Sequence, residues 1–212
     1  MRFRFGKEIE MTITRRAGVV VAAVAVAVLA GCSTAPSIIA ESSTTPPVEQ
    51  LVWVGTGTSW VFEDGEWLRT PEQDYEFLVR QSRYASRWES LKVQNRTHPA
   101  YDGTAGPADQ QHFFAITFGE VGSDGRIATE LASTYGDGGG WTDREYRHAV
   151  LEFEAEGVSR FAPYNRFRIT QEYRYEEGEL RETVELYKVD SDGREQPFAR
   201  IEEEARMFRP GE

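Results

Sequence analysis

The sequence predicts an all-β domain, an antiparallel up-and-down meander that closes into a barrel of about 8–10 strands. Three observations predict it. From Leu51 onward almost every segment alternates apolar and polar residues with period two, Gly and Asp punctuate the segments, and no long stretch carries a helical period. Strands are expected at 51–62, 66–70, 74–84, 87–96, 111–121, 126–136, 145–155, 166–176, 180–189 and 195–209, and 145–155 is the segment with the strongest helical competitor. Asp64-Gly65, Asp124-Gly125, Glu177-Gly178 and Asp192-Gly193 mark tight turns. The first strand places Trp53 and Trp60 on opposite faces, and Trp60 with Phe62 is expected to plug one end. The glycine-rich Gly136–Asp143 reads as a mobile strand connection; it lacks the alternating oxygen ligands of a calcium loop. A two-sheet β-sandwich is the alternative architecture.

The last two hairpins can be read to the residue. Centring a two-residue turn on Glu177-Gly178 sets Ile169 opposite Leu186, Gln171 opposite Val184 and Tyr173 opposite Glu182. Centring the next on Asp192-Gly193 sets Leu186 opposite Ala199, Val184 opposite Ile201 and Leu180 opposite Ala205. The other face then brings three opposite-charge pairs into line: Glu185 with Arg200, Arg181 with Glu204, and Glu179 with Arg206. A slip of one residue would destroy both patterns.

That register also lands Glu182 and Glu203 opposite each other on the inward, apolar face, beside Tyr173. Two carboxylates there cannot both stay charged and unpaired. They share a proton, hold a cation, flank a ligand's polar group, or are neutralised by an arginine such as Arg80 or Arg83; a frayed sheet would instead leave both wet at a barrel mouth. The Arg96–Gln111 stretch is the longest loop of the domain and a candidate lid, with His98, Tyr101 and Asp102 as candidate contacts. A packed surface loop is its plainer reading. His112 opens an inward set with Phe114, Ile116 and Phe118 and is expected to be a hydrogen-bonded core residue. The three histidines have no zinc spacing, so no metal or cofactor is expected, and no nucleophile motif or phosphate loop is present.

Residues before Leu51 have a different texture. Thr14-Arg15-Arg16 precedes fourteen uncharged residues, Ala17–Ala30, as in a secretory signal. As a helix that run spans roughly 21 Å, short of a ~30 Å hydrocarbon core. Leu29-Ala30-Gly31-Cys32 resembles the lipobox of bacterial lipoproteins. The resemblance implies cleavage between Gly31 and Cys32, diacylglycerol on the Cys32 thiol and a membrane anchor through that lipid. It also implies an envelope location, the outer membrane facing the periplasm in a host that has one. Glu8 and Glu10 fit an export signal poorly, and Met11 makes a cleaner start. Cys32 is the single cysteine, so no internal disulfide can form. Residues 1–31 thus read as signal, 32–50 as a Ser, Thr and Pro-rich tether spanning about 23 Å, and 51–212 as one domain.

Cleavage would remove five of the 24 basic groups and two of the 35 acidic ones, leaving 19 against 33 and a formal charge of −14. That charge excludes nucleic acid as a natural partner and favours cationic ones. Architecturally the expected barrel is lipocalin-like. Gly57-Thr58-Ser59-Trp60 is one residue longer than the Gly-x-Trp signature of true lipocalins, so the similarity stops at architecture. The leading expectation is a barrel that binds a small, partly apolar ligand. A solid-cored envelope factor docking a cationic protein is the second, and a hydrolase using Glu182 and Glu203 the third. Lumen volume separates the first two: a ligand site needs roughly 300 Å³ or more.

Overall fold

Asp64 and Gly65 both take positive φ, 49° and 86°, the mirror-image turn whose twist matches a right-handed hairpin, and they fold the chain back after its first strand. The computed structural model describes residues 47–103, 106–155 and 164–209; Gly31, Cys32, the signal and residues 32–46 of the tether lie outside them. The described residues form β1 (Glu49–Glu63), β2 (Glu66–Arg69), β3 (Tyr75–Arg83), β4 (Arg87–Asn95), β5 (Asp109–Val121), β6 (Ile127–Ser133), β7 (Asp137–Thr142), β8 (His148–Glu154), β9 (Arg166–Arg174), β10 (Glu179–Val189) and β11 (Glu195–Met207). β1 already begins inside the stretch read as tether, held by an Arg83–Glu49 ion pair of 3.2 Å.

Sequential strands pair antiparallel, and β11 returns to pair with β1 from Trp53↔Met207 to Val61↔Ala199. The sheet therefore closes as a barrel, and the sandwich is excluded. β2 and β3 occupy the same edge of β1 in tandem, interrupted by a 3-10 turn at Pro71–Gln73, so ten strand positions complete the ring.

β7 corrects the sequence reading, which took its glycines for a loose connection. A Cβ on Gly138 or Gly140 would collide with the β8 backbone, and one on Gly139 with the carbonyl of Thr129 on β6. The glycines let three strands approach closely, which polar-apolar alternation cannot report. The segment 145–155 holds a strand at His148–Glu154 and no helix.

The C-terminal register is part right and part shifted. β10 and β11 pair as derived: Val184↔Ile201, Leu180↔Ala205, Arg181↔Glu204 and Glu182↔Glu203. The tip differs, because five residues separate Val189 from Glu195, and a bulge at Phe198 beside Pro197 restores the register. Proline cannot donate to the ladder, which makes that the natural place for it. β9 pairs two residues away from the derived register, because the turn holds four residues, Tyr175–Gly178. Ile169 faces Val184, Gln171 faces Glu182 and Tyr173 faces Leu180. A shift of two preserves the faces, so the inward set is unchanged.

One end of the barrel is filled. Trp53 is fully buried, edge-on to Tyr173 at 5.8 Å, and Trp88 packs on Phe118 and Tyr146 at 5.0 and 5.3 Å. Arg83 lies 4.1 Å over Trp88 and 4.8 Å over Tyr175, closing that end with a guanidinium sheet. Trp60 is not the plug. It stands outward at the opposite rim between Arg69 and Arg200, with Phe62 edge-on to Trp67.

Candidate functional site

Leu180, Val184, Ile201 and Ala205 turn inward, and strand periodicity carries Glu182 and Glu203 with them. A residue that the sequence reading did not name supplies the pair with one positive charge. Lys92, inward on β4, bonds Glu203 Oε1 and stands 3.8 Å from Glu182 Oε1. Arg83 belongs to the plug, and Arg80 points outward. Tyr75 OH donates to the same Glu203 Oε1. Gln171 Nε2 donates to Glu182 Oε2 at 2.5 Å, while its Oε1 accepts from Tyr173 OH at 3.3 Å. Tyr173 is therefore joined to the acids through Gln171, not side by side with Glu182.

Burial raises the pKa of Glu182 to about 7, the charge of Glu203 adds to the rise, and Lys92 and Gln171 oppose it. Burial also raises Tyr75, with the Glu203 carboxylate reinforcing it, so the phenol stays a donor.

This cluster lies at the floor of a cavity of about 620 Å³ that opens at the end opposite Trp53. Its walls are unlike. Phe114, Phe153, Phe167, Ile169, Val184 and Ile201 make an apolar side; Ser59, Tyr75, Lys92, Gln94 and Arg96 make a polar one. The polar side follows from β4, where Trp88, Ser90, Lys92, Gln94 and Arg96 share the inward face while Leu91 and Val93 are exposed. His112 is buried on the lumen wall against Tyr135 OH, and burial with the nearby Lys92 and Arg96 lowers it to about 3, so it is neutral.

The 96–108 connection does reach the cavity mouth, but through Gly106 and Pro107. His98 and Tyr101 are used within the loop: Ala100 N donates to His98 Nδ1 at 3.2 Å, and Tyr101 OH donates to Gly106 O at 2.6 Å. Asp102 is likewise absent from the lining and is engaged elsewhere. Among the described residues no cluster of His, Cys, Asp or Glu is arranged to hold a metal ion.

The parity of β4 was the signal that would have found Lys92 and Arg96. Trp88 shares it, and a Trp marks the buried face better than Leu91 or Val93 does.

Fold and site together define a class: a closed antiparallel β-barrel, plugged at one end, with an amphipathic lumen and a charged cluster on its floor. No protein-family model matches the chain, and no curated protein sequence matches it.

Proposed function

We propose that the barrel binds a small, partly apolar molecule in its lumen and that lipid on Cys32 tethers it to a bacterial envelope membrane. The observation that carries the binding reading is the cavity. At about 620 Å³ it exceeds the roughly 300 Å³ a ligand site needs and differs from the packed interior of a structural barrel. Its apolar wall supplies the burial that drives binding, and the polar wall supplies orientation. A hydrolase is disfavoured by the cluster itself, since Lys92 bridges the position between Glu182 and Glu203 that a scissile bond would need. A solid-cored docking factor has no use for the lumen.

Native mass spectrometry of the chain carrying Cys32→Ser, purified from a periplasm, tests the binding half. A retained small molecule is expected, and Val184→Trp, which fills the lumen, is expected to lose it. Absence of any bound mass together with failure to take up apolar dyes would overturn the reading. The anchor is tested separately with a fatty-acid label, which is expected on the wild-type chain and missing from Cys32→Ser; equal labelling would refute it.

A further inference from the structure

Among the described residues Arg96 is a buried lumen charge that the internal cluster leaves over. The residue is 8 % exposed and lines the cavity, on the same inward row as Lys92. Lys92 is taken by Glu203 and Glu182. Arg96 has no such partner: among the described residues no carboxylate lies within ion-pair distance of it. The groups described in direct contact with the guanidinium are uncharged. Nε donates to the Gln73 carbonyl at 3.3 Å, and the amide oxygen of Gln94, turned to face it, accepts from Nη1 at 2.9 Å. Tyr75 and Tyr101 present their rings at 5.1 and 5.4 Å.

A guanidinium cannot shed its proton, and a buried cation held only by dipoles and π-faces is costly. Among the described residues the polar wall thus holds a cation without a counter-charge, and an apolar wall lines the same cavity. We propose that Arg96 is the anchor for a carboxylate head group, and that the lumen takes an amphiphilic carboxylic acid whose apolar body lies along Phe114, Phe167 and Ile201.

The inference rests on the ligand-binding reading above and narrows its ligand. The chemistry favours a planar anion, because a guanidinium offers paired N–H donors matched to a carboxylate, and such charge-assisted bonds are about twice as strong as neutral ones. The acidic surface does not forbid it. Beyond a Debye length of about 8 Å those charges are screened, whereas the guanidinium acts within the lumen at contact.

The test uses the chain carrying Cys32→Ser, stripped of bound lipid, and three probes sharing one apolar body. These are the fluorescent C18 acid cis-parinaric acid, its methyl ester and the matching primary amine. Unmutated at Arg96, the protein is expected to bind the acid at least tenfold tighter than the ester or the amine. Arg96→Gln is expected to erase that preference by weakening the acid alone; Arg96→Lys restores part of it, and Arg194→Gln on the outer surface leaves it intact. Equal binding of acid and ester, or tighter binding of the amine, would overturn the carboxylate assignment while leaving a ligand-binding barrel. No binding of any probe would overturn both. The acid–ester comparison needs no change at Arg96, so it decides the question even if Arg96→Gln does not fold.

Discussion

Tyr75 reaches Glu203 across a glycine: Gly57 of β1 pairs with Tyr75 of β3 on one side and with Glu203 of β11 on the other. With no side chain between them, the phenol lies flat over Gly57 and places its hydroxyl on the carboxylate. A Cβ at position 57 would sit 2.6 Å from ring atom Cε2 and 2.8 Å from Cε1 of Tyr75.

Gly57→Ala should therefore destabilise the barrel by about 1–3 kcal/mol, the usual range for overpacking a filled site. Urea unfolding of Gly57→Ala in wild-type and Tyr75→Ala backgrounds checks the cause. The cost should shrink when the ring is gone, and an equal cost in both backgrounds would remove Tyr75 from the explanation.

The two acids should respond unequally to loss of charge. Glu203 carries the close bond to Lys92, so Glu203→Gln leaves the buried ammonium only the 3.8 Å pairing with Glu182 and should cost up to about 3 kcal/mol. Glu182→Gln leaves that bond standing and should cost far less. Combining Glu203→Gln with Lys92→Met should recover part of the loss, because the ammonium that lost its close partner is gone. Strictly additive losses in the double mutant would mean that Lys92 and Glu203 do not act as a pair.

Arg83 predicts a non-conservative lysine. Its guanidinium lies over Trp88 and Tyr175, donates to Tyr175 OH at 2.9 Å and to Gln81 Oε1 at 2.9 Å, and pairs with Glu49. A lysine can keep the ion pair but not the flat stack or the fork of donors. Arg83→Lys should lower the thermal midpoint by an amount equivalent to about 1–2 kcal/mol, while Arg194→Lys, on a surface turn, should leave it within about 0.5 kcal/mol. Matching midpoints would reduce the Arg83 stack to a crystallographic-style contact without energetic weight.

How far the sequence reached is set by range. Strand alternation and turn residues are local, so the meander, the β10–β11 register and the facing of Glu182 with Glu203 were all legible. The Tyr175–Gly178 turn misled by two residues, because a four-residue turn and a two-residue one share the same Glu-Gly signal. Lys92 is 111 positions from Glu203, on a strand whose outward residues Leu91 and Val93 are more apolar than its inward ones. No local pattern could join them. The glycine strand β7 was hidden for the opposite reason, since its fitness for a sheet lies in what its neighbours need and not in its own side chains.

The last prediction concerns pH. Glu182 faces Glu203 from β11, Lys92 from β4 and Gln171 from β9. Burial and the Glu203 charge raise its folded pKa from 4.5 to about 7. A folded value above the unfolded one means that the native state holds the proton more tightly. The stabilisation is therefore complete below about pH 4.5 and is lost as pH rises through about 7. Glutamine at position 182 mimics the protonated acid at every pH and keeps an amide for Gln171. The difference in urea-unfolding free energy between wild type and Glu182→Gln cancels contributions that the two proteins share. It should move in favour of Glu182→Gln between pH 5 and pH 8, with most of the change between pH 5 and 7. His112, already neutral across that window, contributes nothing to it. A difference that stays flat from pH 5 to 8 would mean that Lys92 holds Glu182 ionised throughout, and that the floor of the lumen carries two full negative charges against one positive.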